Sequence, residues 1–193
     1  MAKVVLGIPT MGSIETRTFE ALFKIDRKEH CIFPLVTEHA LVYMARDMIV
    51  KKALENETTD YVWFVDSDII VNKDTLNVLV KDDADIVTGC YPFKGETGSV
   101  VGLDMNLETI TMYDLMKKRR NLVKISRAGM GCCLIKKQVL EDVLRDYGTC
   151  FTPIDNLGED YAFCERAKLC GYDIKIDRRV ILQHIGKKVY EVR

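Results

Sequence analysis

The sequence has no long apolar run and no marked excess of positive or negative charge. No apolar stretch approaches the ~18 residues that indicate a transmembrane helix. The 28 Lys and Arg residues nearly balance the 29 Asp and Glu residues, so the formal net charge is −1. Without a basic field there is no argument for general nucleic-acid binding. We therefore expect no integral membrane segment and no nucleic-acid partner.

The N-terminus has no signal-peptide pattern, and the cysteines form no recognisable framework. The chain passes straight into the strand-like stretch Val4-Val5-Leu6-Gly7-Ile8, without separate charged and apolar regions. Seven cysteines, odd in number and without a Cys-x-x-Cys pair, argue against both a disulfide framework and a zinc site. These features predict a cytoplasmic protein whose cysteines are mostly small buried hydrophobes.

Repeats, linkers and a dinucleotide fingerprint are also missing. No Gly-x-Gly-x-x-Gly follows a strand-like stretch, which disfavours a Rossmann oxidoreductase. A chain of 193 residues is long enough for one domain with a sizeable core. We expect a single domain spanning residues 1–193.

The first half of the chain alternates strand and helix patterns. Short apolar stretches bounded by turn residues predict strands, and apolar residues on one helical face predict the helices between them. The predicted strands are Lys3–Ile8, Cys31–Val36, Tyr61–Val65 and Asp85–Cys90. Their β-α-β-α-β-α-β order predicts an α/β fold with a mostly parallel central sheet flanked by helices.

Some local features refine this prediction. Pro34 should place the second strand at a sheet edge or a bulge, because proline cannot donate to the ladder. Ser13 is predicted to cap the first helix. The residues Phe19, Leu22 and Phe23 are predicted to share one face of that helix.

The second half has a different character. The glycine-bearing stretch Lys94–Asn106 is predicted to be a mobile loop or ribbon. A buried strand over Cys132–Ile135 follows, and Glu159-Asp160 open a helix that runs through Leu169. Two short strands are then predicted at 174–176 and 180–182, followed at once by a histidine.

The central stretch is an apolar strand that ends in two carboxylates. Tyr61 to Val65 is uninterrupted and apolar, which is typical of a strand buried on both faces. Asp66 and Asp68 follow at its carboxyl end, where ligand sites lie in open α/β sheets. Two residues apart on extended backbone, they can project to the same side. Paired carboxylates there suit a hard divalent cation.

Two further groups stand at element ends, and each has a structural alternative. Glu159 and Asp160 begin a helix, where carboxylates interact favourably with the helix dipole whether or not they are catalytic. His184 follows the last predicted strand and could be an ordinary hydrogen-bonded histidine. Asp66 or Asp68 alone could cap the next helix. The combination of these groups is more informative than any one of them.

Taken in order, these residues resemble a GT-A fold glycosyltransferase, closest to the glycosyltransferase family 2 pattern and to its compact viral and phage members. The resemblance covers most of the chain. Its matching segments are Val4 to Thr10, Ala45-Arg46-Asp47, Val65-Asp66-Ser67-Asp68-Ile69 (a DxD motif), Gly129 to Lys136, Gly158 to Cys164 and His184-Ile185-Gly186.

The resemblance implies a hexosyltransferase-type enzyme that moves a sugar from a UDP- or GDP-sugar donor to a glycan, protein or lipid-linked acceptor. It implies that Asp68 and His184 ligate Mn²⁺ or Mg²⁺, with manganese favoured by the imidazole nitrogen. Asp66 would ligate the metal through a water molecule or contact the ribose.

Other residues take their expected roles from the same resemblance. Pro9, Thr10 and Arg46 would help to hold the nucleotide, and Gly131 would lie beside the donor sugar. Asp160, with Glu159 as second choice, would be the catalytic base, and the reaction would then invert the anomeric centre.

Three alternatives remain open at this point. A catalytically inactive nucleotide-sugar-binding module could keep the fold without the reaction. A metal-dependent nucleotidyltransferase could use the same carboxylates, although Pro9-Thr10-Met11-Gly12 is not a basic, glycine-rich phosphate loop. A haloacid-dehalogenase-type phosphatase also uses Asp-x-Asp, but there the motif usually follows the first strand.

Overall fold

The structure is a computed structural model that describes residues 1–94 and 98–186. Its helices are α1 (Thr16–Phe23), α2 (Val42–Leu54), α3 (Thr75–Lys81), α4 (Met112–Lys117), α5 (Lys137–Tyr147) and α6 (Glu159–Leu169). Its strands are β1 (Ala2–Thr10), β2 (His30–Glu38), β3 (Tyr61–Val65), β4 (Ile69–Ile70), β5 (Ile86–Cys90), β6 (Ser99–Leu103), β7 (Thr109–Thr111), β8 (Leu122–Ile125), β9 (Arg127–Ala128), β10 (Cys132–Lys136), β11 (Ile174–Ile181) and β12 (Gln183–His184).

A seven-stranded sheet in the order β2-β1-β3-β10-β5-β11-β8 forms the centre of the fold. The β1–β2, β1–β3 and β5–β11 pairs are parallel. β10 lies antiparallel between β3 and β5, and β8 is antiparallel to β11. All strands except β10 and β8 therefore run in one direction, which confirms the predicted α/β fold with a mostly parallel sheet.

Apolar side chains pack on both faces of this sheet. One core contains Phe64 of β3 with residues of α2, α5 and α6. The other contains the neighbouring Trp63 with residues of α1 and α3. Because successive side chains of a strand point to opposite faces, a strand covered on both sides must be apolar throughout. This explains why Tyr61 to Val65 shows no alternation.

Pro34 lies in β2, the outermost strand of the sheet, opposite Leu6 of β1. The prediction of an edge strand is therefore confirmed. The predicted cap of the first helix is wrong, because α1 begins at Thr16 after Glu15, and the carbonyl of Ser13 instead accepts a hydrogen bond from the Thr10 hydroxyl.

The predicted apolar face of α1 is only partly correct. Leu22 is buried, whereas Phe19 is 56% exposed and Phe23 is 76% exposed. In this short helix the buried positions are Thr18 and Leu22. These are four residues apart and share one face, which leaves both phenylalanines outside the core.

The two strands predicted near the C-terminus form one strand, β11, which pairs with β5 through an irregularity between Asp177 and Ile181. The Asp177 carboxylate accepts the backbone N–H of Arg179 at 2.8 Å, which supports the chain where the pairing is interrupted. Residues 95–97 of the predicted loop, including Gly95, lie outside the described residues. The remainder contains β6, which pairs with β7 as an antiparallel ribbon.

Asp47 of α2 fixes the loop that precedes α6. Its Oδ1 accepts the backbone N–H groups of Cys150 and Phe151, each at 3.0 Å, and its Oδ2 accepts the hydroxyl of Thr149. Phe151 then packs on Phe64 and stacks on Phe163 of α6, with ring centroids 5.3 and 4.9 Å apart. One carboxylate thus links α2 to the loop that places α6.

We expect Asp47→Ala to lower the free energy of unfolding by about 2–3 kcal/mol, because hydrogen bonds to charged groups contribute ~1.5–3 kcal/mol and two buried N–H groups lose their acceptor. Urea unfolding followed by circular dichroism measures this change. Asp47→Asn keeps one oxygen acceptor and should lose less than half as much. Equal losses in the two variants would contradict this role.

Candidate functional site

The carboxyl end of β3 places Asp66 and Asp68 at the rim of the sheet, and the short pairing of β4 with β12 brings a histidine to them. His184 lies opposite Ile69 in that pairing. Its Nε2 is 3.4 Å from Oδ1 of Asp68. The backbone N–H of Ile185 also donates to the carbonyl of Asp68 at 2.9 Å. Two residues more than a hundred positions apart are therefore held side by side by backbone pairing.

The segment after β5 orients this histidine. Nδ1 of His184 lies 2.9 Å from the carbonyl oxygen of Pro92. Because a carbonyl can only accept, Nδ1 carries a proton. Nε2 then donates to Asp68 when the ring is protonated and carries a lone pair when the ring is neutral. The ring of Tyr91 packs edge-on against the imidazole at 5.9 Å between centroids. Nε2 therefore faces Asp68 in a defined orientation.

Asp68 is surrounded by positive charge. Lys94 Nζ lies 2.5 Å from Oδ2, on the other oxygen from His184. Burial alone would raise the pKa of Asp68, but hydrogen bonds from His184 and Lys94 lower this pKa to about 2. The hydrogen bond to Asp68 in turn raises the pKa of His184 above its usual value.

A cleft of about 590 Å³ opens over these groups. Its lining includes Pro9, Thr10, Asp66, Asp68, Lys94 and His184. Thr10 ends β1, and its hydroxyl is engaged in the following turn, where it donates to the carbonyl of Ser13 and accepts from the N–H of Gly12. The cleft thus joins the carboxyl ends of β1 and β3.

Arg46 of α2 lies beneath the cleft, not in it. Its side chain is only 2% exposed, and one nitrogen, Nη2, lies 3.0 Å from Asp66 Oδ1 and 3.4 Å from Asp160 Oδ1. One buried cation is therefore shared by two carboxylates from different elements. The guanidinium is inaccessible from the cleft surface, so any effect on a bound nucleotide passes through Asp66.

The two carboxylates remain partly accessible, with Asp66 31% and Asp160 25% exposed. Burial raises the pKa of each carboxyl group, and the positive charge of Arg46 opposes this shift. Asp160 Oδ2 also accepts the backbone N–H of Met130 at 3.0 Å. Glu159, its neighbour at the start of α6, is partly exposed.

Gly129 and Gly131 allow Tyr91 to pass close to the backbone before β10. A Cβ at Gly129 would lie 2.3 Å from the Tyr91 hydroxyl oxygen, and one at Gly131 would lie 2.8 Å from the ring. The N–H of Gly131 donates to the Tyr91 hydroxyl at 2.8 Å, and its carbonyl accepts the N–H of Asp66 at 3.0 Å. Gly131 therefore connects Tyr91 to Asp66 at the carboxyl end of β3.

The donor set fits a divalent cation at Asp68 and His184. Ligand atoms about 2.1 Å from one ion, at 90–110° to each other, lie about 3.0–3.4 Å apart, and Oδ1 and Nε2 are 3.4 Å apart. Within residues 1–94 and 98–186, no three His, Cys, Asp or Glu side chains gather into a metal-binding group. A cation here would complete its shell with water and substrate oxygens, as magnesium commonly does.

A protein-family model matches residues 48–191 of the chain, which include the DxD segment, β10, α6 and His184. The model is that of glycosyl transferase family 21. The chain belongs to this family. The predicted class of enzyme, a GT-A glycosyltransferase, is confirmed, and the family model that matches is family 21. No curated protein sequence matches the chain.

Solved structures support the same fold. Protein A197 from STIV is similar over 100% of this chain and 98% of its own, with a TM-score of 0.64 and 19% identity. GalNAc-T7, solved with UDP, GalNAc and Mn²⁺, is similar over 97% of this chain and 44% of its own, with a TM-score of 0.65 and 11% identity.

A third similar structure is S. aureus TarS 1–349 in complex with UDP-GlcNAc. The similarity spans 99% of this chain and 60% of that one, with a TM-score of 0.56 and 18% identity. At these identities the likeness concerns the fold of the glycosyltransferase domain. No helix among the described residues is long and apolar enough to cross a membrane.

Sequence reasoning missed two contributors to the site, Tyr91 and Lys94. Both follow β5 at its carboxyl end, the same positional signal that indicated Asp66 and Asp68 after β3. Pro92 interrupts the strand pattern, and the composition of the segment is unremarkable, so this positional signal was missed. Its contacts depend on the tertiary pairing of β5 with its neighbours, which no local pattern reports.

We expect Arg46→Met to lower the free energy of unfolding by about 3–5 kcal/mol at neutral pH, because two partly buried carboxylates lose their shared counter-ion. Without Arg46, the pKa values of Asp66 and Asp160 rise further above their unfolded values. The charged carboxylates then oppose folding, so stability is lost as pH rises through the folded pKa values.

Urea unfolding between pH 5 and 8 measures this effect, and the deficit of the variant should be larger at pH 8. Adding Asp160→Asn to Arg46→Met should restore part of the lost stability. A deficit independent of pH and of the second substitution would contradict the shared counter-ion.

Proposed function

We propose that this glycosyltransferase moves a sugar from a nucleotide-sugar donor to an acceptor hydroxyl group in a metal-dependent, inverting reaction. The observation that carries the proposal is the juxtaposition of Asp68 and His184 in the cleft at the carboxyl end of β3. The imidazole nitrogen and the carboxylate oxygen lie 3.4 Å apart, a spacing at which both can ligate one divalent ion. The acceptor hydroxyl belongs to a glycan, a protein or a lipid-linked molecule.

UDP is the favoured nucleotide. Two of the similar glycosyltransferase structures contain UDP or UDP-GlcNAc, and GDP-sugars are the alternative. A divalent ion between donor and protein would act as a Lewis acid that stabilises charge on the departing diphosphate. The imidazole of His184 favours Mn²⁺ over Mg²⁺, and Mn²⁺ is present in the GalNAc-T7 structure.

The residues around the ligand pair position the nucleotide. Pro9 and Thr10 form the wall where β1 ends, and the hydroxyl of Thr10 keeps the turn closed. Asp66 faces the same cleft, held by Arg46 from below. Its fixed carboxylate suits a contact with a ribose hydroxyl or a metal-bound water. Gly131, which we propose lies beside the donor sugar, holds the N–H of Asp66 through its carbonyl.

Asp160 is the proposed base, with Glu159 as the alternative. Burial raises the pKa of Asp160, and the positive charge of Arg46 opposes this shift; a carboxylate with a raised pKa is a stronger proton acceptor. The Met130 N–H fixes the orientation of Oδ2. A carboxylate that removes the acceptor proton during direct attack leads to inversion. We further propose that residues 1–193 form one domain and act in the cytoplasm.

We expect one nucleoside diphosphate to raise the melting temperature of the wild type only in the presence of Mn²⁺, because a ligand at ~100 times its Kd adds ~2.7 kcal/mol of stability. Asp68→Asn and His184→Ala should each lose this metal-dependent shift. Differential scanning fluorimetry with UDP and GDP, with and without Mn²⁺, measures it.

The matched control is Asp83→Asn, because this carboxylate is 80% exposed and pairs with Lys136 away from the cleft. It should keep the full shift. A shift preserved in both site variants would contradict the metal site. Metal-dependent nucleotide binding without any sugar transfer or donor hydrolysis would favour an inactive binding module.

We expect Asp160→Asn to lower kcat by ~10²–10⁴-fold, the range for a lost general base, with little change in the Kd of the nucleoside diphosphate. Steady-state release of UDP or GDP from a UDP-sugar or GDP-sugar donor measures kcat, and calorimetry measures Kd. Glu159→Gln is the control. If it is the more damaging substitution, the base is Glu159.

A further inference from the structure

Three residues of the segment that follows β5 contribute to the site. Tyr91 packs on the ring of His184, and the carbonyl of Pro92 holds its Nδ1. Lys94 then places its ammonium group 2.5 Å from Oδ2 of Asp68. The same segment therefore orients one proposed metal ligand and neutralises the other.

The position of Lys94 makes it a natural competitor of a cation. Its ammonium occupies one oxygen of Asp68, and Nε2 of His184 faces the other at 3.4 Å. A divalent ion at these two side chains would bring a double positive charge within a few ångströms of the ammonium, where like charges repel strongly. The ammonium and the metal therefore compete for the negative charge of Asp68.

The Lys94 side chain has room to move. It is 56% exposed, and a lysine carries its charge on a flexible four-carbon stem. Among the described residues that line the cleft, it is the one lysine or arginine. Arg46 is buried beneath and engaged with Asp66 and Asp160. Among the described residues, a diphosphate entering the cleft therefore has one exposed cationic side chain available to it.

We propose that Lys94 is a diphosphate-binding residue that rests on Asp68 until a divalent metal displaces it. The released ammonium turns from the carboxylate to the phosphate oxygens of the donor. The inference rests on the proposed function, since it takes Asp68 and His184 as the metal ligands. It adds a residue that no resemblance assigns and an order of events in which metal binding frees the lysine.

Replacing Lys94 with an uncharged residue should therefore have two opposite effects. Removing the ammonium leaves Asp68 free, so the metal alone binds more tightly. It also removes a cation from the diphosphate, so the nucleotide binds more weakly once metal is present. A residue that merely stabilises the fold would not move these two affinities in opposite directions.

The test compares wild type, Lys94→Met and the matched control Lys81→Met. Lys81 is 69% exposed and pairs with Glu29 outside the cleft. The affinity for Mn²⁺ without nucleotide is measured by the electron paramagnetic resonance signal of free Mn²⁺. The affinity for UDP, or for GDP if the wild type prefers it, is measured by calorimetry at saturating Mn²⁺. Melting temperatures confirm that the variants are folded.

Lys94→Met should bind Mn²⁺ about threefold to fivefold more tightly, the change expected from losing an ion pair worth up to ~1 kcal/mol. It should bind the nucleoside diphosphate about tenfold more weakly, the loss of one charge-assisted contact. Lys81→Met should match the wild type in both measurements. Asp68→Asn should abolish Mn²⁺ binding in the wild-type and the Lys94→Met backgrounds.

The outcomes separate this inference from the proposed function. Unchanged Mn²⁺ affinity in Lys94→Met, with binding still dependent on Asp68, would overturn the role of Lys94 and leave the metal site intact. Weakened Mn²⁺ and nucleotide binding together would also overturn it, because Lys94 would then act through the architecture of the site. Absence of Mn²⁺ binding in both wild type and Lys94→Met would overturn both proposals.

Discussion

The buried guanidinium of Arg46 is the interaction on which the site depends. It joins the carboxylate that ends β3 to the carboxylate that begins α6, through a single nitrogen. Without that charge, two carboxyl groups whose pKa values are already raised by burial would face each other without a counter-ion. Removing one partner of a buried ionic group is among the most destabilising changes a fold can undergo. The position of α6 relative to β3 is therefore fixed electrostatically as well as by packing.

Around this centre, short backbone pairings bring distant parts of the chain together. β12 returns to β4 and sets His184 beside Asp68, while the carbonyl of Gly131 holds the N–H of Asp66. The glycines before β10 leave space for Tyr91, which packs against His184. His184 and Asp66 are thus each supported by a strand or a neighbouring ring. Rigid support of this kind is what a site needs to hold reacting groups in place.

Much of this arrangement could be predicted from the sequence. The uninterrupted apolar stretch before Asp66 indicated a strand covered on both faces, and the ends of such strands are where ligand sites lie. His184 could be placed beside Asp68 only through the family resemblance, because β4 and β12 are two-residue strands without a pattern of their own. The burial of Arg46 was unpredictable for a related reason, since an arginine on a helix is usually a surface residue. Lys94 had only a positional signal, its place after β5, because its contact with Asp68 depends on the tertiary fold.

The central claim of this account is that Asp68 and His184 hold a divalent cation in the cleft. The most direct measurement is a crystal structure with Mn²⁺ and UDP, with diffraction recorded at the manganese absorption edge. The account predicts an anomalous peak within bonding distance of Asp68 Oδ1 and His184 Nε2, with the diphosphate on its open side. An anomalous peak elsewhere, or bound UDP with Lys94 still on Asp68 and no metal, would contradict it.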